Sequence, residues 1–123
     1  MKIRQIQSLL EAELLTGEEE LDSEVFSACA SDMMSDVLAF VKDQGVLITG
    51  LMNPQVIRTA AMMDMRCIVF VRGKNPGEDV VSLGEEAGIV IMSSALRMYE
   101  ACGRLYSAGL HGGSIITPED DNG

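Results

Sequence analysis

The sequence is poor in the side chains on which most catalytic and metal sites depend. Its 123 residues include one histidine, three cysteines, three prolines and no tryptophan, and aromatic residues make up only 4%. The one histidine, His111, has no recognisable partners for a catalytic triad. Histidines and carboxylates also lack the spacing typical of metal ligands. The sequence therefore predicts a protein that is not an enzyme and that needs no metal and no cofactor.

Long apolar runs are also missing, which excludes a membrane-spanning helix. The first residues, MKIRQIQ, do not have the pattern of a signal peptide. The three cysteines, Cys29, Cys67 and Cys102, are far apart and have apolar or small neighbours, as is typical of buried reduced thiols. We therefore expect a cytoplasmic protein that does not enter the membrane.

The charge is negative and unevenly distributed. The net charge is −10, and residues 1–36 alone carry nine acidic and two basic side chains. Residues 37–110 are balanced, and residues 111–123 add three acids. This distribution disfavours nucleic acid as a partner, because binding to phosphate backbones depends on clustered basic residues.

Two acidic residues, Asp32 and Asp36, are spaced one helical turn apart and could in principle form an acid and base pair. Ordinary helix electrostatics explains them better. We interpret Asp32 as a favourable charge at the N-terminus of a helix and Asp36 as a solvated side chain on that helix.

Short apolar runs alternate with amphipathic segments along the chain, and this alternation predicts the fold class. Helices are predicted over 1–13, 33–42, 54–64, a segment ending near 88, and 95–108, and strands over 14–17, 25–30, 46–49, 67–71 and 89–92. Continuous apolar strands are typical of sheets that helices cover on both faces. The prediction is a three-layer α/β/α fold with a mainly parallel, mixed central sheet, as one domain over 1–110. Residues 111–123 form a Gly-rich acidic tail, either without fixed structure or with one short strand over 114–117.

The most informative local feature is the passage from the strand VLIT to the helix that begins after Asn53. Asn is a favoured N-cap and Pro54 a favoured first helical residue. A strand that leads into a helix in this way directs backbone N–H groups outward, where an anion can bind. The junction therefore predicts a ligand site at this end of the sheet.

Parallel α/β sheets bind ligands beyond the carboxyl ends of their strands, and three such ends are recognisable. Together they supply the candidate ligand-binding residues Thr49, Gly50, Asn53, Arg72, Lys74, Ser93 and Ser94. Hydroxyls, backbone N–H groups and two cations in one crevice suit a small anionic metabolite or a nucleotide. The same residues also have structural uses, since glycines relieve turns and serines cap helices, and the sequence leaves both interpretations open. No Gly-rich nucleotide fingerprint is present.

Nine methionines suggest a surface for a protein partner, although irregular filling of the core with a few exposed side chains explains them equally well. Adjacent methionines on a helix cannot both face a core, so one of Met33 and Met34, and one of Met62 and Met63, should be exposed. Met34 and Met63 are the positions that we would substitute to test such a surface, which would include the acidic N-terminal face. We expect the tyrosines of the last helix to pack on the sheet, with close packing at the glycine between them.

Four segments in this order resemble the DRTGG domain family: SDMMSDVLAF, LITGLMNPQVIRTAAMMDM, IVFVRGK and MYEACGRLYSAGL. The resemblance extends over roughly residues 2–110 and is strongest to the stand-alone members. It implies a three-layer α/β/α fold similar to the N-terminal domain of HPr kinase/phosphorylase, a regulatory or dimerising role without chemistry of its own, and a homodimer. Stand-alone members also occur in anaerobic bacteria near hydrogenase-related genes.

The sequence departs from the family at the residues that give it its name. Leu51-Met52-Asn53 stands where the family has Asp-Arg, and Arg72-Gly73-Lys74 stands where it has a TGG-like turn. No ligand contact is therefore transferred from the family to this chain. The alternative to a ligand-sensing domain is a protein-interaction or scaffold module without a ligand, which could serve hydrogenase-related or other anaerobic metabolism.

Overall fold

The computed structural model describes residues 1–40, 45–73 and 75–112. In chain order the elements are α1 (Ile3–Leu9), β1 (Glu13–Thr16), a 3₁₀ turn (Glu18–Glu20), β2 (Ser27–Ala30), α2 (Met34–Phe40), β3 (Gly45–Thr49), α3 (Pro54–Met62), β4 (Cys67–Phe70), α4 (Glu78–Ala87), β5 (Val90–Ser93) and α5 (Met98–Ser107). Every predicted helix and strand of residues 1–110 is present, with ends that differ by a few residues, and the predicted end of the second helix at 42 lies outside the described residues. The strand proposed over 114–117 lies outside the described residues.

The first helix is shorter than the sequence predicts, because the backbone leaves the helical conformation early. Glu11 has a φ of 49°, in the left-handed region, which a continuing right-handed helix does not allow. Glu13 then pairs with Ser93 as the first residue of β1. The acidic residues after Leu10 thus belong to a turn and a strand, although the apolar periodicity of α1 points toward a longer helix.

The five strands form one mixed sheet in the order β1-β5-β4-β3-β2. Strands β2, β3, β4 and β5 are parallel, and β1 joins the β5 edge antiparallel. The mainly parallel sheet that the apolar runs predict is therefore confirmed. Strand β2 lies at one edge of the sheet and is parallel to β3. The residues that follow β2 therefore lie beside those that follow β3.

Helices cover both faces of the sheet, and the side chains of the central strands alternate between two cores. One core contains α1 and α5 packed on Val46, Ile48 and Val69. The other contains α2, α3 and α4 packed on Leu47 and Ile68. Every residue of β3, β4 and β5 is buried, which explains why these strands are continuously apolar. The three-layer α/β/α architecture is confirmed.

The described helices are short. α4 and α5 have ten residues each and α3 has nine. Within the described ranges, no helix has the length and apolar character that crossing a bilayer requires.

Candidate functional site

The carboxyl ends of the four parallel strands lie at one edge of the sheet, as the register requires. Ala30 pairs with Ile48, and Phe70 pairs with both Thr49 and Ser93. The loops that follow β2, β3, β4 and β5 therefore start side by side. We call the residues that these loops bring together the carboxyl-edge site.

The start of α3 is capped as predicted. The side-chain oxygen of Asn53 accepts a hydrogen bond from the backbone N–H of Gln55 at 2.9 Å, and Pro54 occupies the first helical position. This cap satisfies one of the orphan N–H groups of the helix. Asn53 itself is exposed, so the N-terminus of α3 is open to solvent at the rim of the carboxyl-edge site.

Strand β3 ends in a hydrogen-bonded turn that holds an acidic side chain from the neighbouring loop. The carboxylate oxygen Oδ1 of Asp32 accepts from the backbone N–H of Gly50 at 2.7 Å and from the hydroxyl of Thr49 at 3.1 Å. The Thr49 hydroxyl in turn accepts from the N–H of Leu51 at 3.1 Å. Thr49 and Gly50 thus form a small set of donors directed at an anion, and Asp32 is the anion that they hold.

Arg72 reaches the same point from the loop after β4. Its Nη2 lies 3.7 Å from the other carboxylate oxygen of Asp32, and the two side chains are 45% and 48% exposed. A Cβ added to Gly50 would overlap Arg72 Nη2 and lie 2.7 Å from its Cζ. The guanidinium therefore lies directly against the backbone of Gly50, and only a residue without a side chain allows this contact.

The backbone of Arg72 is fixed in an unusual conformation. Its φ is 67°, in the left-handed region that costs a non-glycine residue about 1 kcal/mol. Its N–H donates to Leu96 O at 2.7 Å, and the N–H of Gly73 donates to Ser94 O at 2.9 Å. These two hydrogen bonds tie the loop after β4 to the loop after β5 and place the Arg72 side chain over β3.

The remaining predicted ligand-binding residues are not all in the crevice. Ser94 is fully buried, and its hydroxyl donates to the backbone oxygen of Leu10 at 2.7 Å and accepts from the N–H of Leu96 at 3.2 Å. It is a structural residue of the loop after β5. Ser93 is buried at the end of β5, and Lys74 lies outside the described residues.

The sequence did not predict the contact that Asp32 makes with β3. Asp32 precedes α2, but the hydroxyl of Ser31 accepts from the N–H of Met33 at 3.0 Å, so Ser31 satisfies the donor at this turn. Asp32 points to β3 instead. The sequence contained a signal for this contact, because Asp32 follows a strand as Gly50 and Arg72 do. The signal predicts the contact only when it is also known that β2 is adjacent to β3.

The three cysteines are unpaired in the described part of the chain, and only Cys67 is fully buried, so the prediction of buried thiols is wrong for Cys29 and Cys102. Burial raises the pKa of the Cys67 thiol far above its usual range and also raises the pKa of Cys29 and Cys102, which are half-buried. Raised pKa values mean neutral thiols at physiological pH, which are poor nucleophiles and poor metal ligands. Among the described residues, no three His, Cys, Asp or Glu side chains are grouped as metal ligands would be.

The tyrosines of α5 are not on the sheet, so that prediction is wrong. Tyr99 is 91% and Tyr106 is 65% exposed. Gly103 lies between them, and a Cβ there would meet no atom of the described chain within 4 Å. These residues line a broad groove of about 850 Å³ on the outer face of α5, which also includes Leu9. The ring of His111 stacks on Tyr106 with centroids 4.2 Å apart.

One methionine of each pair is exposed, but Met33 precedes α2 and Met63 follows α3, and the exposed members are not the ones chosen for substitution. Met33 is 60% and Met62 is 71% exposed, whereas Met34 is buried against the core and Met63 is partly buried. A substitution at Met34 would therefore test packing and not a partner surface.

Comparison with known proteins identifies the class of this chain. The family model of the DRTGG domain matches residues 5–108, so the chain belongs to the DRTGG domain family. No curated protein matches it. A solved structure with the same fold contains the CBS and DRTGG domains of the regulatory region of the Clostridium perfringens pyrophosphatase, complexed with its activator, diadenosine tetraphosphate. The TM-score is 0.70 at 16% identity, and the match covers 85% of this chain and 45% of that one. The likeness therefore establishes the fold, and it extends over less than half of the regulatory-region chain in that structure.

Proposed function

We propose that this protein is a non-catalytic regulatory domain that binds a small anionic ligand of the nucleotide type at the carboxyl-edge site. The anionic group would contact the guanidinium of Arg72 and the N–H of Gly50. The exposed N-terminus of α3 after Asn53 would complete the site on its open side. Lys74, from its position in the sequence, would add a second cation.

The observation that carries this proposal is the placement of Arg72. Glycine adopts a left-handed φ without steric cost, but here the residue with this φ is Arg72, which has a long cationic side chain. Gly73, the next residue, has the same conformation. Backbone strain of this kind is typically retained where the position of a side chain serves a function. The guanidinium is half-exposed beside backbone and hydroxyl donors, a combination suited to bidentate recognition of a phosphate.

The nucleotide as ligand class is supported by the family and by the fold comparison. The pyrophosphatase regulatory region with the same fold was crystallised with a dinucleotide activator. A domain of the same family that binds a nucleotide would change the activity of a partner protein according to the concentration of that nucleotide. The hydroxyl of Thr49 lies beside the Asp32 carboxylate, but it is fully buried at the end of β3, which favours ligand sensing over catalysis.

The first experiment is a thermal-shift and calorimetric screen with AMP, ATP, diadenosine tetraphosphate and inorganic pyrophosphate. A ligand at a hundred times its Kd should add about 2.7 kcal/mol, or roughly 10 °C for a domain of this size. Arg72→Ala should weaken the affinity about tenfold, because it removes a charge-assisted contact.

Arg4→Ala is the matched control for that screen. Arg4 lies in α1 and pairs with Asp22 on the surface, and its loss removes the same charge without touching the residues of the site. Equal affinity of the wild-type protein and the Arg72→Ala variant, or an absence of binding by all four probes, would contradict the proposal.

A second candidate function is a protein-interaction module, supported by the exposed tyrosines of α5. An aromatic groove of this kind is typical of a surface that a partner covers. We propose that this surface, not the methionine-bearing helices, holds a second copy of the chain in a homodimer. Stand-alone members of the family occur near hydrogenase-related genes, so electron-transfer proteins of anaerobic metabolism are other candidate partners.

The oligomeric state tests the second candidate. Tyr99→Glu should reduce the mass measured by light scattering to that of a monomer that remains folded by circular dichroism, since Tyr99 makes little contact within the chain. Met33→Glu and Met62→Glu should leave the mass unchanged. Dissociation by the methionine variants alone would instead place the interface on α2 and α3, and a wild-type monomer would remove the homodimer from the proposal.

A further inference from the structure

The donors of the carboxyl-edge site are already occupied by a side chain of the protein. Gly50 N–H and Thr49 O–H both donate to Asp32 Oδ1. Arg72 provides the nearby positive charge. An external anion that used the same donors would have to replace the Asp32 carboxylate.

Asp32 is not required at this position by the local structure of its own loop. The turn before α2 is closed by Ser31, whose hydroxyl accepts from Met33 N–H and donates to Met33 O at 3.2 Å. Asp32 lies outside α2, which begins at Met34. Its side chain is therefore free to leave β3 without breaking a helix.

We propose that Asp32 is an internal competitor that occupies the anion subsite in the absence of ligand and that a phosphate group of the ligand displaces it. This inference rests on the proposed function and specifies how the site selects its ligand. Asp32 makes the site selective for phosphates and polyphosphates over simple carboxylates.

Charge and geometry explain the selectivity. A carboxylate ligand has the same charge and the same two oxygens as the side chain of Asp32. Replacing Asp32 by such a ligand would therefore give no gain in binding free energy. A phosphate brings a third oxygen and a second negative charge. It can also engage Arg72 in a bidentate contact, whereas Asp32 remains 3.7 Å away, beyond hydrogen-bond distance. A phosphate can thus satisfy Gly50 and Arg72 better than the residue that it replaces.

The test compares the wild-type protein with Asp32→Asn and Asp32→Ala in calorimetric titrations with inorganic pyrophosphate. Both variants remove the competing charge, and Asp32→Asn keeps the size of the side chain in case the alanine variant folds poorly. Each should bind pyrophosphate about tenfold tighter than wild type, the change expected when a charge-assisted hydrogen bond no longer has to be broken. Without ligand, the same variants should melt at a lower temperature.

Asp36→Asn is the matched control. Asp36 is exposed in the first turn of α2 and carries the same charge, but it does not contact β3. Asp36→Asn should change the affinity for pyrophosphate less than twofold. This result would distinguish the displacement of Asp32 from a general effect of reduced negative charge.

The outcomes distinguish this inference from the proposed function. Wild-type binding that Arg72→Ala weakens, together with equal or weaker binding by the Asp32 variants, would overturn the inference and leave the proposed function in place. Tighter binding by both Asp32 variants but not by Asp36→Asn would support it. If neither the wild-type protein nor an Asp32 variant binds pyrophosphate at millimolar concentration, the inference is wrong, and if AMP, ATP and diadenosine tetraphosphate also fail to bind, the proposed anion site is wrong as well.

Discussion

Replacing Gly50 by alanine should weaken nucleotide binding about a hundredfold while changing the free energy of unfolding by no more than about 1 kcal/mol. The added methyl group would overlap Nη2 of Arg72, so the guanidinium must leave the end of β3. We expect the same methyl group, which is attached next to the Gly50 N–H, also to hinder a ligand that approaches this donor. The substitution therefore removes two charge-assisted contacts, whereas Arg72→Ala removes one.

Stability should be nearly unaffected for three reasons. Gly50 does not adopt a positive φ, so alanine fits the backbone. The side chain that must move is flexible and half-exposed. Its ion pair with Asp32 is of the exposed kind that contributes at most about 1 kcal/mol. Calorimetric titration and thermal melting of the same samples measure both quantities, and a Gly50→Ala protein that binds nucleotide as tightly as wild type would contradict the placement of the site.

Gly84→Ala should destabilise the domain by about 1–3 kcal/mol, although alanine is the better helix former by about 1 kcal/mol. Gly84 lies on the buried face of α4, and an added Cβ would overlap Cδ1 of Ile91 and lie 2.9 Å from its Cγ1. Ile91 is itself fully buried in β5. Overpacking between a helix and a central strand should outweigh the gain in helix propensity, and urea unfolding measures the difference.

A double-mutant cycle with Ile91→Val identifies the cause. Valine lacks the Cδ1 atom that collides with the new methyl group, so the double variant should be more stable than the sum of the single effects predicts, by about 1 kcal/mol. Strictly additive effects would mean that the loss in Gly84→Ala has another origin, such as a shift of the whole helix.

Local sequence signals predicted the elements and the junction between β3 and α3 because their causes are local. Apolar runs defined the buried strands, and Asn53 and Pro54 defined where α3 begins. The pairing of Asp32 with Gly50 depends instead on β2 lying beside β3, and strand order is set by packing between distant segments. The buried role of Ser94 has the same origin, since its partner Leu10 is 84 residues away in sequence.

The exposed face of α5 illustrates a second limit. The spacing of Tyr99 and Tyr106 correctly places both on one face of a helix, but periodicity alone does not distinguish a face that contacts the sheet from one that contacts a partner. In α5 the smaller residues Ala101 and Leu105 face the sheet. The larger aromatic residues point away from it, where aromatic side chains are typical of binding surfaces.

The most direct test of the proposed site is a titration followed by ¹H–¹⁵N NMR, using whichever of the four probes gives the largest thermal shift. We predict that the backbone amides of Gly50 and Leu51 and the Nε–Hε group of Arg72 shift together and saturate at the affinity measured by calorimetry. Saturating ligand that leaves these signals unchanged, or that shifts the residues around Tyr99 and Tyr106 instead, would show that the carboxyl-edge site is not where the ligand binds.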